Sequence, residues 1–258
     1  VEPETINISL VDTLSLQCFG DTNGSVTAIG VAGGEGVYQY QLNIYDAAGT
    51  TIVTTSATQT NPTFNDLGAG IYTITVSDGW NCNVETVQAI ISEPTDVSSS
   101  LIEVSKLTCD DPAEILLTAT GGTAPYEYST DGTSYSVMSG GDNHTFSVGV
   151  GVYQYYVRDA FGCGGTISNQ VPIDAVPALT IDLDTSAAVI NCNGESTASV
   201  IAIATGGLGN YSYELLDNPT STTPLQGPQA NGTFANLAAG NYYIKVTSDG
   251  GCETVSPA

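Results

Sequence analysis

The sequence predicts an all-β chain of three tandem β-sandwich modules arranged end to end, and three observations carry that expectation. Composition is the first: Thr, Gly (29) and Tyr (14) are abundant, while Lys and Arg together number 3 and Met 1, so good helix formers are scarce. No segment shows a 3.6-residue apolar stripe, whereas short alternating runs such as Tyr72, Ile74, Val76 and Tyr153, Tyr155, Val157 recur between turn residues. Second, the same ordered set of elements occurs three times. Third, successive copies lie 91 and then 83 residues apart, measured between Cys18, Cys109 and Cys192. That period suits an immunoglobulin-like sandwich of about seven strands and is too long for a solenoid repeat.

Each copy opens with a proline 15 residues before its first cysteine: Pro3 to Cys18, Pro94 to Cys109, Pro177 to Cys192. A Gly-Gly-x-x-x-Tyr-x-Tyr element follows, at Gly33–Tyr40, Gly121–Tyr128 and Gly206–Tyr213. Residues i and i+2 of a strand share a face, so both tyrosines point the same way, toward the core or toward a sugar-stacking platform. A Thr-Phe pair comes next, then an aliphatic-x-x-Gly-x-Tyr element ending at Tyr72, Tyr153 and Tyr242. These three read as tyrosine corners, in which the hydroxyl returns to backbone upstream and the glycine permits the turn. An aspartate three or four residues before a second cysteine closes each copy: Asp78 and Cys82, Asp159 and Cys163, Asp249 and Cys252. The module boundaries expected are 1–94, 95–177 and 178–258, the third truncated at its last strand. The constant Pro-to-Cys offset, with no Gly/Ser tract between copies, predicts fixed junctions and a rod.

The six cysteines fall two to a module, 64, 54 and 60 residues apart, without the close-set pairs of a zinc site. Disulfides within each module, Cys18–Cys82, Cys109–Cys163 and Cys192–Cys252, are the economical expectation, with free buried thiols as the alternative. In the chain-entropy model a loop of ~60 residues stabilises by roughly 4 kcal/mol. Such bonds imply an oxidising, extracytoplasmic location. Calcium is a separate question. Asp21, Asp110 and Asp111 follow first cysteines, and Asp78, Asp159 and Asp249 precede second ones. These carboxylates are either turn residues bonded to their own backbone or weak calcium ligands drawn from several loops. No other cofactor is expected.

With 27 Asp+Glu against 3 Lys+Arg the net charge is −24. Nucleic acid is excluded as a partner, since counterion release needs clustered Lys and Arg, and an anionic membrane surface is disfavoured. No run is long enough for direct membrane insertion. The chain has one histidine, His144, expected to be a solvated loop residue, and no nucleophile–base pair. It is therefore not expected to be an enzyme.

The combined signature resembles the SprB repeats of large gliding-motility adhesins from Bacteroidetes. It runs from Cys18-Phe19-Gly20 and Asn23-Gly24-Ser25, through the Gly-Gly-x-x-x-Tyr-x-Tyr and Leu-x-x-Gly-x-Tyr elements, to the Asp–Cys pair and Glu93-Pro94. Module two departs at Cys109-Asp110-Asp111-Pro112, and module three lacks the closing Glu-Pro. The resemblance implies a disulfide-stapled, rigid repeat region of a filament exported by the type IX pathway, extracellular at the outer face of the outer membrane. There it would serve surface adhesion and gliding. Its partners would be an external surface or polysaccharide substratum and neighbouring filament chains. The alternative is a set of carbohydrate-binding or spacer modules accessory to a secreted enzyme.

The charge yields a test that needs no structure. Self-repulsion at −24 is screened by salt, so the melting temperature should rise from low salt to physiological ionic strength. A flat salt titration by calorimetry contradicts this.

Overall fold

Period-two alternation of apolar and polar residues sends one face of each strand inward, and the computed structural model follows that pattern across residues 4–258, which it describes. Pro3, the first of the offset prolines, lies outside the described residues. In the first repeat β1 (Leu10–Leu14), β2 (Gly24–Ile29), β3 (Gln39–Tyr45), β4 (Ile52–Thr55), β5 (Thr63–Leu67), β6 (Gly70–Ser77), β7 (Asn83–Glu85) and β8 (Ala89–Ile91) make two antiparallel sheets. One has the order β1-β2-β5; the other runs β4-β3-β6-β7, with β8 also paired to β6. Val26, Ala28 and Phe64 of the first sheet pack in one core with Tyr40, Leu42, Ile74, Val76 and Ile91 of the second. Val26, Ile74 and Val76 are fully buried.

The second repeat follows the same plan with β9 (Ser98–Ser105), β10 (Ala113–Thr120), β11 (Glu127–Ser129), β12 (Ser136–Val137), β13 (Asn143–Val148), β14 (Gly151–Tyr153), β15 (Tyr156–Arg158), β16 (Gly164–Ile167) and β17 (Val171–Ile173). Its sheets are β13-β10-β9, β12-β11-β15-β16 and the pair β14-β17. The strand that is continuous as β6 is thus divided here into β14 and β15. Alternation is strict in β10, where Ala113, Ile115, Leu117 and Ala119 are buried. The third repeat comprises β18 (Thr180–Asp184), β19 (Ala198–Thr205), β20 (Ser212–Leu216), β21 (Gln226–Gln229), β22 (Thr233–Leu237), β23 (Tyr243–Thr247) and β24 (Glu253–Val255), in sheets β18-β19-β22 and β21-β20-β23-β24. Val200, Leu215, Phe234, Ile244 and Val246 form its core.

The chain is therefore all-β with repeated immunoglobulin-like sandwiches. Its only helical element among the described residues is the 3-10 turn Asp249–Gly251, and no helix there is long and apolar enough to cross a membrane. The stretches 92–97 and 174–179, between repeats, carry no strand. Two compact units are defined: residues up to Ser100 with 118–144 and 155–169, and residues 101–117 with 145–154 and 170–258. The middle repeat contributes to both.

In the first two repeats the outgoing strand pairs beside the tyrosine corner, Gly70 opposite Ile91 and Gly151 opposite Ile173. No such strand is present among the described residues of the third repeat. A cavity of about 420 Å³ occupies the corresponding place, lined by Leu183, Ile190, Leu237, Gly240 and Tyr242 among others.

The core predicts its own weak point. Phe234 is 0% exposed and central to the third repeat, so Phe234→Ala should cost about 3–5 kcal/mol. A urea titration should show a transition at clearly lower denaturant; an unchanged midpoint would mean that this core is not formed.

Candidate functional site

Two ends of each repeat are built by different residues, and the cysteines belong to these ends. At the end where the chain enters, the Gly-Gly pair takes left-handed backbone, with φ of 79° at Gly33 and 70° at Gly34. A side chain on Gly33 would place its Cβ 2.1 Å from the Thr5 carbonyl oxygen, so only glycine permits the incoming segment to lie this close. Gly34 N–H donates to the Glu4 carbonyl at 2.8 Å, as Gly122 does to Thr95 and Gly207 to Pro177 at 2.7 and 2.9 Å. The first tyrosine of each Tyr-x-Tyr pair locks this turn: the hydroxyls of Tyr38, Tyr126 and Tyr211 donate to the carbonyls of Gly33, Gly121 and Gly206. The second tyrosine is the more deeply buried in the first and third copies, where Tyr40 and Tyr213 are 6% exposed. Burial pushes the Tyr40 hydroxyl pKa upward, with Tyr38 adding to it. In the second copy the order reverses, and Tyr126 is the buried ring.

The aspartate before the second cysteine organises the same end. Asp78 is 5% exposed; its Oδ1 accepts the N–H groups of Trp80 and Cys82 at 2.9 Å, and its Oδ2 accepts that of Glu35 at 3.1 Å. Burial raises its pKa, but these backbone donors outweigh burial and hold the carboxyl below its ordinary range. Asp159 repeats the arrangement with Phe161, Cys163 and Thr123. In the third repeat the equivalent residue is Ser248, four before Cys252: its N–H donates to the Cys252 carbonyl, and its Oγ accepts Leu208 N–H at 3.2 Å. Asp249 stands one position later, exposed, and accepts the Asn210 side chain at 2.7 Å.

At the opposite end lie the other tyrosines. The hydroxyl of Tyr72 donates to Gly68 O at 2.9 Å, Tyr153 to Gly149 O at 3.1 Å, and Tyr242 to Ala238 O at 3.2 Å. Here the chain leaves the repeat. Leu16 N–H donates to Ser92 O, and Gly20 N–H to the Glu93 carboxylate at 2.7 Å. Cys18 sits between those two contacts, and Cys82 follows the far end of β6. Eight residues of β6 at ~3.3 Å rise separate the two ends by roughly 25 Å, against the 4.4–6.8 Å between Cα atoms that a disulfide spans.

The expected pairing within modules is accordingly corrected. The bonds are Cys18–Cys163, with Cα atoms 5.4 Å apart, and Cys109–Cys252, at 5.1 Å. Each joins the first cysteine of one repeat to the second cysteine of the next. Cys82 and Cys192, expected in the bonds Cys18–Cys82 and Cys192–Cys252, carry free, exposed thiols. Around the second bond, the N–H groups of Cys109 and Asp110 both donate to Gly250 O at 2.9 and 3.2 Å. The cysteine-to-next-repeat register was invisible in spacing alone; the clue available was that the two cysteines of a copy flank opposite ends of its longest strands.

The remaining candidates are placed as follows. Asp21 accepts a long contact from Asn23, and Asp110 and Asp111 are exposed beside a turn closed by Thr108. Among the described residues, no three His, Cys, Asp or Glu side chains gather as a metal cluster. His144 lies on strand β13 and not in a loop. It is half-buried, its ring 4.6 Å from that of Tyr128 and its Nδ1 bonded to Ser139. Each cation is paired: Lys106 with Glu103, Arg158 with Glu127, Lys245 with Glu253.

Fold and junctions together define a tandem array of immunoglobulin-like sandwiches stapled from one repeat to the next. The repeats are SprB repeats, whose family model matches residues 11–44 and 190–220. No curated protein matches the chain. Among solved structures, three N-terminal domains of the bacteriophage RB49 Highly Immunogenic Outer Capsid protein (Hoc) are similar at 16% identity, over 98% of this chain and 97% of that one, with a TM-score of 0.41. An I-band fragment of titin is similar at 12% identity over 99% and 97%, TM-score 0.39. A tetra-tandem repeat from the extending region of a large adhesion protein is similar at 13% over 98% and 72%, TM-score 0.29.

Peptide mapping of alkylated, unreduced protein should recover Cys18–Cys163 and Cys109–Cys252, with label on Cys82 and Cys192. Because the first bond closes a separation of 145 residues, Cys18→Ser should lose up to about 5 kcal/mol in the chain-entropy model. Recovery of Cys18–Cys82 would reverse the assignment.

Proposed function

We propose that this chain is a load-bearing, adhesive repeat region of a cell-surface filament, acting as a stiff extender in surface adhesion and gliding. The single observation that carries the proposal is the staple register. Cys18–Cys163 and Cys109–Cys252 enclose overlapping stretches, so two covalent paths run in parallel from Cys18 to Cys252. One follows the chain to Cys109 and crosses to Cys252; the other crosses at once to Cys163 and continues along the chain. Tension applied at the ends is shared between them.

An extender also needs little chemistry, and the side chains agree. The cations are paired, His144 is engaged by Ser139 and Tyr128, and the tyrosines that could offer sugars a stacking platform return their hydroxyls to backbone. This supports a structural region without catalysis. The disulfides fit an oxidising location outside the cytoplasm, and the reading takes the filament to the outer face of the outer membrane, with a solid or polysaccharide substratum as its target.

Pulling on single molecules tests the reading. Oxidised chains should release only about 90 residues between Cys18 and Cys252, roughly 320 Å at ~3.5 Å per residue. Reduction should then release the whole stretch. Staples inside repeats would release only about 55 residues, and a trace indifferent to reductant would refute load sharing. Small-angle scattering should give a radius of gyration well above the ~18 Å of a compact body of this length.

A further inference from the structure

The two free thiols are the two halves of the bond this chain already makes twice. Cys192 is a first-position cysteine, equivalent to Cys18 and Cys109; Cys82 is a second-position cysteine, equivalent to Cys163 and Cys252. Both stand in loops with the form of a bonded counterpart. Glu195 N–H closes a turn onto Cys192 O at 3.3 Å, as Asp21 N–H does onto Cys18 O at 3.4 Å. A left-handed glycine follows two residues later in both, Gly194 with φ of 90° and Gly20 with 75°. On the other side, Asp78 N–H donates to Cys82 O at 3.0 Å and Asn81 N–H to Asp78 O at 3.1 Å. Asp159, Cys163 and Gly162 reproduce that turn at 3.0 Å for both bonds. Cys18–Cys163 is therefore a template for a Cys192–Cys82 bond, with each half preformed.

A second observation points to the same end of the third repeat. The cavity of about 420 Å³ is lined by Ile190, two residues before Cys192, and by Gly240 and Tyr242. In the first repeat the matching glycine and tyrosine, Gly70 and Tyr72, are covered by Ala89–Ile91, and Ile91 is 1% exposed. The end that carries Cys192 thus presents open the apolar space that the next repeat's linker strand covers elsewhere.

We propose that Cys192 of one copy bonds Cys82 of a second copy, joining chains head to tail. The contact is heterologous and does not close on itself, so repetition yields an open covalent filament. The step is a two-electron oxidation that needs a small-molecule disulfide as oxidant. One thiolate attacks the oxidant's sulfur and expels a thiol; the second thiolate attacks the mixed disulfide and expels the other. Two protein thiols become one disulfide, and the oxidant is reduced to two thiols. The inference goes beyond the extender reading, and its failure would leave that reading standing.

The test is oxidation of the purified chain with oxidised glutathione, followed by unreduced electrophoresis and peptide mapping. A ladder in steps of 26.5 kDa is expected, with Cys192–Cys82 peptides exceeding the two symmetric pairings by about tenfold or more. Cys82→Ser and Cys192→Ser chains should each stay monomeric alone and give dimers, without a ladder, when mixed. Symmetric Cys82–Cys82 or Cys192–Cys192 dimers, or monomers with both thiols capped by glutathione, would overturn the proposal. The wild-type peptide map decides the question even where a variant folds poorly.

Discussion

A β-strand is stiff and long compared with a disulfide, and that disparity governs how this chain is held together. β6 carries the backbone across the first repeat from the tyrosine corner at Gly70 to the aspartate turn at Asp78. Cys18 belongs to the first of these ends and Cys82 to the second. No rotamer brings them within bonding reach, so each must look outward from its own repeat. The bonds that form link neighbours, and stability that could have been local becomes a property of consecutive repeats. Reducing one bond then weakens two repeats at once.

The two ends have different chemistry for a physical reason. Where the chain enters, carbonyls and N–H groups converge, and the structure satisfies them with buried acceptors: the Asp78 and Asp159 carboxylates each take three backbone N–H groups. A carboxylate so engaged has few lone pairs left for a cation, and acceptor geometry explains these residues as turn builders. Ser248 does a reduced version of the same work with one oxygen. Where the chain leaves, apolar contact dominates, with Ile91 and Ile173 nearly fully buried opposite glycines that leave room for them.

Charge and fold act on different scales here. With 27 acidic groups and 3 Lys+Arg, each of the latter paired, the surface repels copies of itself in general. Disulfide bonding at defined ends is a short-range covalent term that does not depend on that field once formed. A filament component can therefore be soluble along its sides and still be joined at its ends.

All-β structure, three repeats and the identity of the core strands were legible in the residues, because period-two alternation and left-handed glycines are local properties of backbone and side chain. The Gly-Gly-x-x-x-Tyr-x-Tyr element announced its turn, and Tyr72, Tyr153 and Tyr242 announced theirs through the glycine two positions before. The resemblance to SprB repeats followed from the same local motifs. The cysteine partners were not legible, since spacing records distance along the chain, and the nearest cysteine in sequence sits at the far end of a rigid sandwich. Nor did spacing show that Ser248, and not Asp249, matches Asp78: only the hydrogen bond to Cys252 aligns them. Pairing across repeats is decided by which ends meet in space, and that is set by strand length and sheet order, which only the tertiary structure contains.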